Sequence, residues 1–278
     1  MGGRNSNATP AQSPVVVCHL NKKMITLFQD KTKHNKMRKI LTFTITLFSL
    51  TTFGQKYSDV MDKKMTSEQW NEEAKTNIRL LPKYGHITKT EGQKASDKEF
   101  IETTLKQYPT NRKASDHMIE LGFKYLYKDI KTAMYRFNQA YLLDSTNTDI
   151  YWGYGGVYMT LGDLQNAQKQ YVEGLAIDSK NTHLLTDYGT YFMSQYYGLQ
   201  PLDEKMALTN LDSAITYLTK SFQLDKTDPN TSFKLSICYY QKKDCKNALE
   251  YYNQCKSVGG QPITEDFTKA LAEQCKTK

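Results

Sequence analysis

One pattern recurs four times in this chain: an alanine, an aromatic residue or leucine four positions on, then a leucine or isoleucine followed by aspartate. It runs Ala133, Phe137, Leu143 and Asp144; then Ala167, Tyr171, Ile177 and Asp178; then Ala214, Leu218, Leu224 and Asp225. A fourth copy, Ala248 and Tyr252, ends in Val258 and Gly259 instead. The step from Ala133 to Ala167 equals the step from Ala214 to Ala248, and the step from Ala167 to Ala214 is the same interval with an insertion added. A fixed period of about 34 residues means one supersecondary unit stacked on copies of itself, which constrains the fold more than any local propensity.

A second signature lies upstream of each alanine. Tyr151, Tyr154, Gly155 and Tyr158 precede Ala167, with Leu161, Gly162 and Asp163 as the turn between. Leu185, Tyr188, Gly189 and Phe192 repeat it one period later. Met118, Leu121, Gly122 and Tyr125 stand before it at one residue less than a period. Leu235, Ser236 and Tyr239 form the last copy, with Ser236 in the glycine's place. Large residues three and four apart share a helix face, so each period holds two amphipathic helices around a turn. Gly155 and Gly189 mark close approaches of the two helices, with Ala133 and Ala167 expected to face the glycines.

This pattern resembles the tetratricopeptide repeat, which has the same period and is likewise helix–turn–helix. The resemblance covers about residues 115–260. It implies an all-α, right-handed superhelical solenoid over 96–260, a leading half-repeat plus four repeats, with the insertion near 196–208. Pro201 followed by Asp203 and Glu204 reads as an early start for the second helix of the third pair. A capping helix in 261–278, carrying Phe267, Ala270 and Leu271 on one face, would cover the last apolar surface, as a solenoid requires. The family's proline after the second helix is Ser145, Ser179, Lys226 and Gly260 here, and its first-helix tryptophan is Met118, Tyr151, Leu185 and Ser232. The 39% hydrophobic content suffices for a core. Twenty tyrosines suit helix contacts in which a ring is buried and its hydroxyl reaches a polar edge.

The front of the chain reads differently. Residues 1–36 lack periodicity and read as a disordered or wrongly assigned leader, with translation starting at Met37. Met37, Arg38 and Lys39 precede an apolar run, Ile40 to Phe53, that ends at Gly54 and Gln55. A basic start, a short apolar centre and a small-residue end make a signal peptide over 37–54, cleaved near Gly54–Gln55, and place the mature chain in the periplasm or outside the cell. The run is too short for a bilayer span, which needs about 20 residues. The net charge of +8 belongs to this leader: from residue 55 onward 29 basic residues face 28 acidic, about +1. Only Arg79, Arg112 and Arg136 remain among the arginines, so neither the charge nor the residue type argues for a nucleic-acid partner.

Residues 55–95 form an N-terminal segment with one helix. Thr66, Ser67 and Gln69 mark its start, Trp70, Ala74, Ile78 and Leu81 recur on one face, and Pro82 stops it. Pro82 to Ala95 reads as a loop, followed by a helix over about Asp97 to Gln107. Cys18 lies in the leader; Cys238, Cys245, Cys255 and Cys275 all lie in the last repeat and tail. Cys238 and Cys255 fall where the repeat holds small buried residues and read as free thiols. Cys245 begins one helix and Cys275 ends the next, so these two can meet, and an oxidising compartment permits a disulfide.

Catalytic patterns are lacking. Gly153 to Gly156 superficially suggests a phosphate loop, yet no strand precedes it. His86, His117 and His183 have no metal-ligand spacing. No cofactor is expected, and the chain is not read as an enzyme. Asp187 follows His183 by one helical turn, so a general-base pair can be drawn there, although such pairs are far more often surface residues. The resemblance implies that first helices line an inner groove. That row is Ile119, Phe123 and Leu126; Trp152, Gly156 and Met159; Thr186, Asp187, Thr190 and Met193; and Phe233, Ile237 and Tyr240. An apolar face of this size needs an occupant, either a partner segment or part of the chain itself, with the Trp70 helix the internal candidate; alternatively some of these residues are core. Two functions follow. One is an exported, non-enzymatic scaffold that binds a protein or peptide in this groove. The other is a small-ligand carrier or enzyme with a pocket around Trp152, His183 and Asp187.

Overall fold

The computed structural model describes residues 65–276. The leader and the apolar run Ile40 to Phe53 lie outside the described residues, as does Cys18. Among the described residues eleven α-helices follow in order: α1 Ser67–Ala74, α2 Glu91–Leu105, α3 Asn111–Tyr125, α4 Ile130–Leu143, α5 Asp149–Leu161, α6 Leu164–Ile177, α7 Thr182–Leu199, α8 Glu204–Leu224, α9 Pro229–Gln241, α10 Cys245–Ser257 and α11 Glu265–Gln274. Two 3-10 turns, Ile78–Leu80 and Pro82–His86, sit between α1 and α2. There is no strand among the described residues. Pairs α3/α4, α5/α6, α7/α8 and α9/α10 are the four repeats, and the fold is an all-α solenoid.

The repeated aspartates are the punctuation. Asp144, Asp178 and Asp225 close α4, α6 and α8 in extended conformation, each donating its N–H to the carbonyl four residues back. Each carboxylate then accepts the amide two residues on, from Thr146, Lys180 and Thr227, and so turns the chain toward the next unit. The last copy has no aspartate there; Gly259 and Gly260, at φ 118° and 74°, make the turn in a conformation only glycine adopts without strain. A second set of aspartates, Asp129, Asp163, Asp203 and Asp244, caps the start of every second helix by accepting an amide three residues on.

The side chain four residues after each alanine, rather than the alanine's own, meets the glycines. A Cβ on Gly122 or Gly153 would strike the Phe137 ring, and one on Gly155 the Tyr171 ring. At Gly189 it would lie 2.7 Å from Leu218 and 3.3 Å from the Ala214 carbonyl. The residue four after the alanine therefore fills each gap. In the last repeat Ser236 tolerates its side chain by donating to the Ala248 carbonyl at 2.8 Å, while Tyr252 turns away toward α11.

The insertion lengthens α7 to 18 and α8 to 21 residues, with Asp203 capping α8. The stretch before the repeats differs from expectation in three ways. First, α1 ends at Ala74, and Asn77 caps a 3-10 turn by accepting the Arg79 amide. Second, Pro82–His86 is a left-handed turn, with Lys83, Tyr84, Gly85 and His86 all near φ 60°. Third, α2 starts at Glu91 because Thr90 and Gln93 form a capping box. Residues 73–83 dock mainly on the second helices. Asn138 of α4 donates to the carbonyls of Arg79 (2.8 Å) and Leu81 (3.0 Å) and accepts from the Lys83 amide (2.9 Å) and the Tyr154 hydroxyl (2.7 Å). Lys83 reaches Glu173 of α6, and Glu73 reaches Lys131 of α4.

Candidate functional site

Along the row, side chains from the first helices of successive units pack against one another. Phe123 of α3 packs on Trp152 of α5 with ring centroids 3.9 Å apart. His183 of α7 stacks on the indole at 4.3 Å and 15°. The indole Nε1 donates to Asp187 at 2.8 Å, and Lys234 of α9 lies 3.8 Å from the same carboxylate. His183 Nδ1 is 3.2 Å from Asp149, whose carboxylate also accepts Asn181 Nδ2 at 2.7 Å. Trp152, His183 and Asp187 are thus together. The histidine's hydrogen-bond partner, however, is Asp149 from the preceding unit rather than Asp187 one turn along its own helix.

Charge in this cluster is set by burial and by neighbours. Burial disfavours the His183 cation, but the hydrogen bond and charge of Asp149, helped by Asp187 and Asp228, outweigh it and raise the pKa above the usual histidine value. Burial likewise pushes Asp149 up, yet His183 and Asn181 leave it below the ordinary carboxylate range. At Asp187 burial wins over Lys234, Trp152 and His183, and its pKa is raised.

The remaining row members are mostly packed. Ile119, Phe123, Trp152, Met193, Phe233 and Ile237 are each 5–7% exposed, so they serve as core between neighbouring first helices as much as lining. Leu126 and Gly156 are also buried. Thr186 is buried in a hydroxyl cluster with Ser221 (2.8 Å) and Thr231 (2.6 Å). Met159, Asp187, Thr190 and Tyr240 keep partial exposure and form the rim. Met193, Phe233 and Ile237 join one core cluster with Leu211, Leu218 and Cys238. The Trp70 helix does not lie on this row: its segment is held by α4 and α6, because the Asn138 amide and Glu173 give its backbone and Lys83 partners there.

At the far end, Phe267 of α11 covers Phe233 and Tyr240. Cys245 and Cys275 are joined in a disulfide with Cα atoms 5.4 Å apart, and Cys238 and Cys255 are buried free thiols. Sequence reasoning missed Asn138, Lys234 and the Asp149 partner of His183. The last could have been found from its spacing, since Asp149 and His183 stand one period apart. The other two carry no signal beyond a polar residue on an apolar face.

This architecture defines a class, the α-solenoid of stacked helix pairs. Residues 148–181 match the family described as tetratricopeptide repeat, so the chain contains a segment similar to that repeat. No curated protein matches it. Among solved structures it is similar to a thermophilic TPR protein of Thermus thermophilus, at 15% identity over 58% of this chain and 80% of that one, TM-score 0.48. It is also similar to pilF of Pseudomonas aeruginosa, at 22% identity over 59% and 85%, TM-score 0.33. MamA matches at 17% identity over 66% and 99%, TM-score 0.38. None of these likenesses carries a function to this chain. Among the described residues no helix is long and apolar enough to cross a membrane.

Proposed function

We propose that this chain is an exported, non-enzymatic scaffold whose inner face, centred on Trp152, binds an apolar segment of a protein partner. One observation carries the reading: the Phe123–Trp152–His183 stack crosses three repeats and is rimmed by half-buried Met159, Asp187 and Thr190. Stacked helix pairs present extended concave surfaces, and the family binds protein or peptide partners in this way. Export is supported by the Met37 to Gln55 pattern and fits a chain that carries a disulfide.

The carrier or enzyme alternative is favoured by the raised pKa values of His183 and Asp187 side by side. Against it, the polar groups of the cluster are engaged with one another: Asp187 with Trp152 and Lys234, Asp149 with His183 and Asn181. A self-satisfied network of this kind orders an interface more readily than it turns over a substrate. Crosslinking of the native protein in its own cells, followed by mass spectrometry, tests the scaffold reading. Crosslinks should map to α5 and α7 and vanish in Trp152→Ala at unchanged helicity. Retention of every crosslink in that variant would move the binding face elsewhere. N-terminal sequencing of the native protein should begin at or near Gln55.

A further inference from the structure

The inner face of the last repeat already has an occupant. α11 sets Phe267 edge-on to Phe233 at 5.2 Å between centroids, near Tyr240 at 5.6 Å and near Tyr252 of α10 at 6.4 Å. Two polar contacts fix its register: the Tyr252 and Thr268 hydroxyls are 2.9 Å apart, and Gln274 Nε2 donates to the Tyr240 carbonyl at 2.8 Å. Leu271, 2% exposed, is the one fully buried residue of this ten-residue helix. A helix that short is not stable alone in water, so α11 exists as a helix because this face and the Cys245–Cys275 bond hold it. Its tether to α10 runs from Val258 to Thr264 and contains Gly259 and Gly260, both at positive φ, a pivot that redirects cheaply.

We propose that α11 is an exchangeable docking element. Once the Cys245–Cys275 bond is opened, the face made by Phe233, Tyr240 and Tyr252 accepts α11 of a second copy. The result is a reciprocal dimer that reoxidation locks through Cys245 of one copy and Cys275 of the other. A second copy is the occupant because its α11 carries the aromatic anchor, the leucine one turn on and the two polar contacts that this face already fits, and exchange of an identical element needs no new surface. Opening takes two electrons and two protons from a dithiol reductant, whose own sulfurs close into a disulfide. Each locking bond returns two electrons and two protons to a disulfide oxidant, which leaves as two thiols. Among the described residues the two other cysteines compete poorly. Burial pushes the Cys255 thiol up to about 11 and Cys238 further still, leaving little thiolate at neutral pH.

The proposal rests on the inner face being a binding face, but it is tested at the end remote from Trp152, so a failure of Trp152→Ala to lose its partner leaves it untouched. Equal amounts of ordinary and nitrogen-15-labelled full chain are reduced with dithiothreitol, concentrated together, and reoxidised with oxidised glutathione. Expected is a dimer by light scattering whose tryptic digest contains mixed-isotope peptides joined Cys245 to Cys275. Phe267→Ala should lower the dimer yield about tenfold, and Gln274→Ala, which removes a single contact of an exposed residue, by less. Only monomer at unchanged helicity, or dimers joined through Cys238 or Cys255, would overturn it.

Discussion

At the residue scale the Trp152 cluster shows how neighbours rather than residue type decide charge. His183 has its folded pKa raised, so the stability it contributes is fully present below its unfolded value near 6.5 and is lost as pH rises through the folded value. Asp149 has its pKa lowered, so its contribution is present above about 3.8 and is lost as pH falls through the folded value. The pair is therefore strongest between those limits, at mildly acid pH. His183 is 39% exposed at its side chain, so solvent screening keeps the effect below about 1 kcal/mol. Urea midpoints at pH 6 and pH 8.5 should show the native chain losing stability relative to His183→Gln. Because a protonated imidazole stacked on an indole quenches it, Trp152 emission should rise over the same interval in the native chain alone. Parallel midpoints in the two proteins would mean that the His183–Asp149 contact contributes nothing. That these residues sit on first helices was visible in the sequence because the helix pattern repeats with the period. The partner of His183 was not, since a helix-by-helix reading looks four residues away, whereas solenoid contacts run from one unit to the next.

The unit of the fold is a helix pair locked, in the first three repeats, by a ring or a leucine over a glycine. The periodic glycines and the residues four after each alanine were both legible as a pattern, but which touched which was not: sequence spacing brings the alanine opposite the glycine, and only side-chain direction carries the ring there. Two glycines in helices separate this packing role from mere propensity. At Gly155 a methyl group would collide with the Tyr171 ring, itself 1% exposed and unable to swing outward. Gly155→Ala should cost about 1–3 kcal/mol through overpacking, despite alanine's better helix propensity. At Gly92, in the first turn of α2, nothing lies within 4 Å. Gly92→Ala should stabilise by about 0.4–1 kcal/mol by narrowing the unfolded ensemble. Thermal melts of the two variants should move in opposite directions; a destabilised Gly92→Ala, or a neutral Gly155→Ala, contradicts the account. Helix starts with a T-x-x-Q box, as at Thr90, were equally legible in principle. The glycines and polar residues around that box masked it as a loop.

Across the whole molecule, the repeats specify themselves, while the segment ahead of them is placed by long-range partners that no local pattern announces. Residues 66–87 hold their course through Asn138, whose buried amide makes four hydrogen bonds, and through a left-handed turn that side-chain-bearing residues adopt only at a cost of about 1–2 kcal/mol each. The segment thus braces α4 and α6 and leaves the Trp152 row to the first helices. Tryptophan makes this testable, because the chain holds only Trp70 and Trp152. Removing residues 55–90 leaves Trp152 as the sole indole and strips the Asn138 amide of three partners. Each buried polar group so orphaned costs about 1–3 kcal/mol unless water reaches it, so the first two repeats should unfold earlier than the last two. The melt of the truncated chain should lose its single transition, with far-UV signal at low temperature retained. Its Trp152 emission should stay at the wavelength of the Trp70→Phe full-length chain, since Phe123 and His183 still cover the ring. A red shift of that emission on truncation would instead show the segment lying over the inner face.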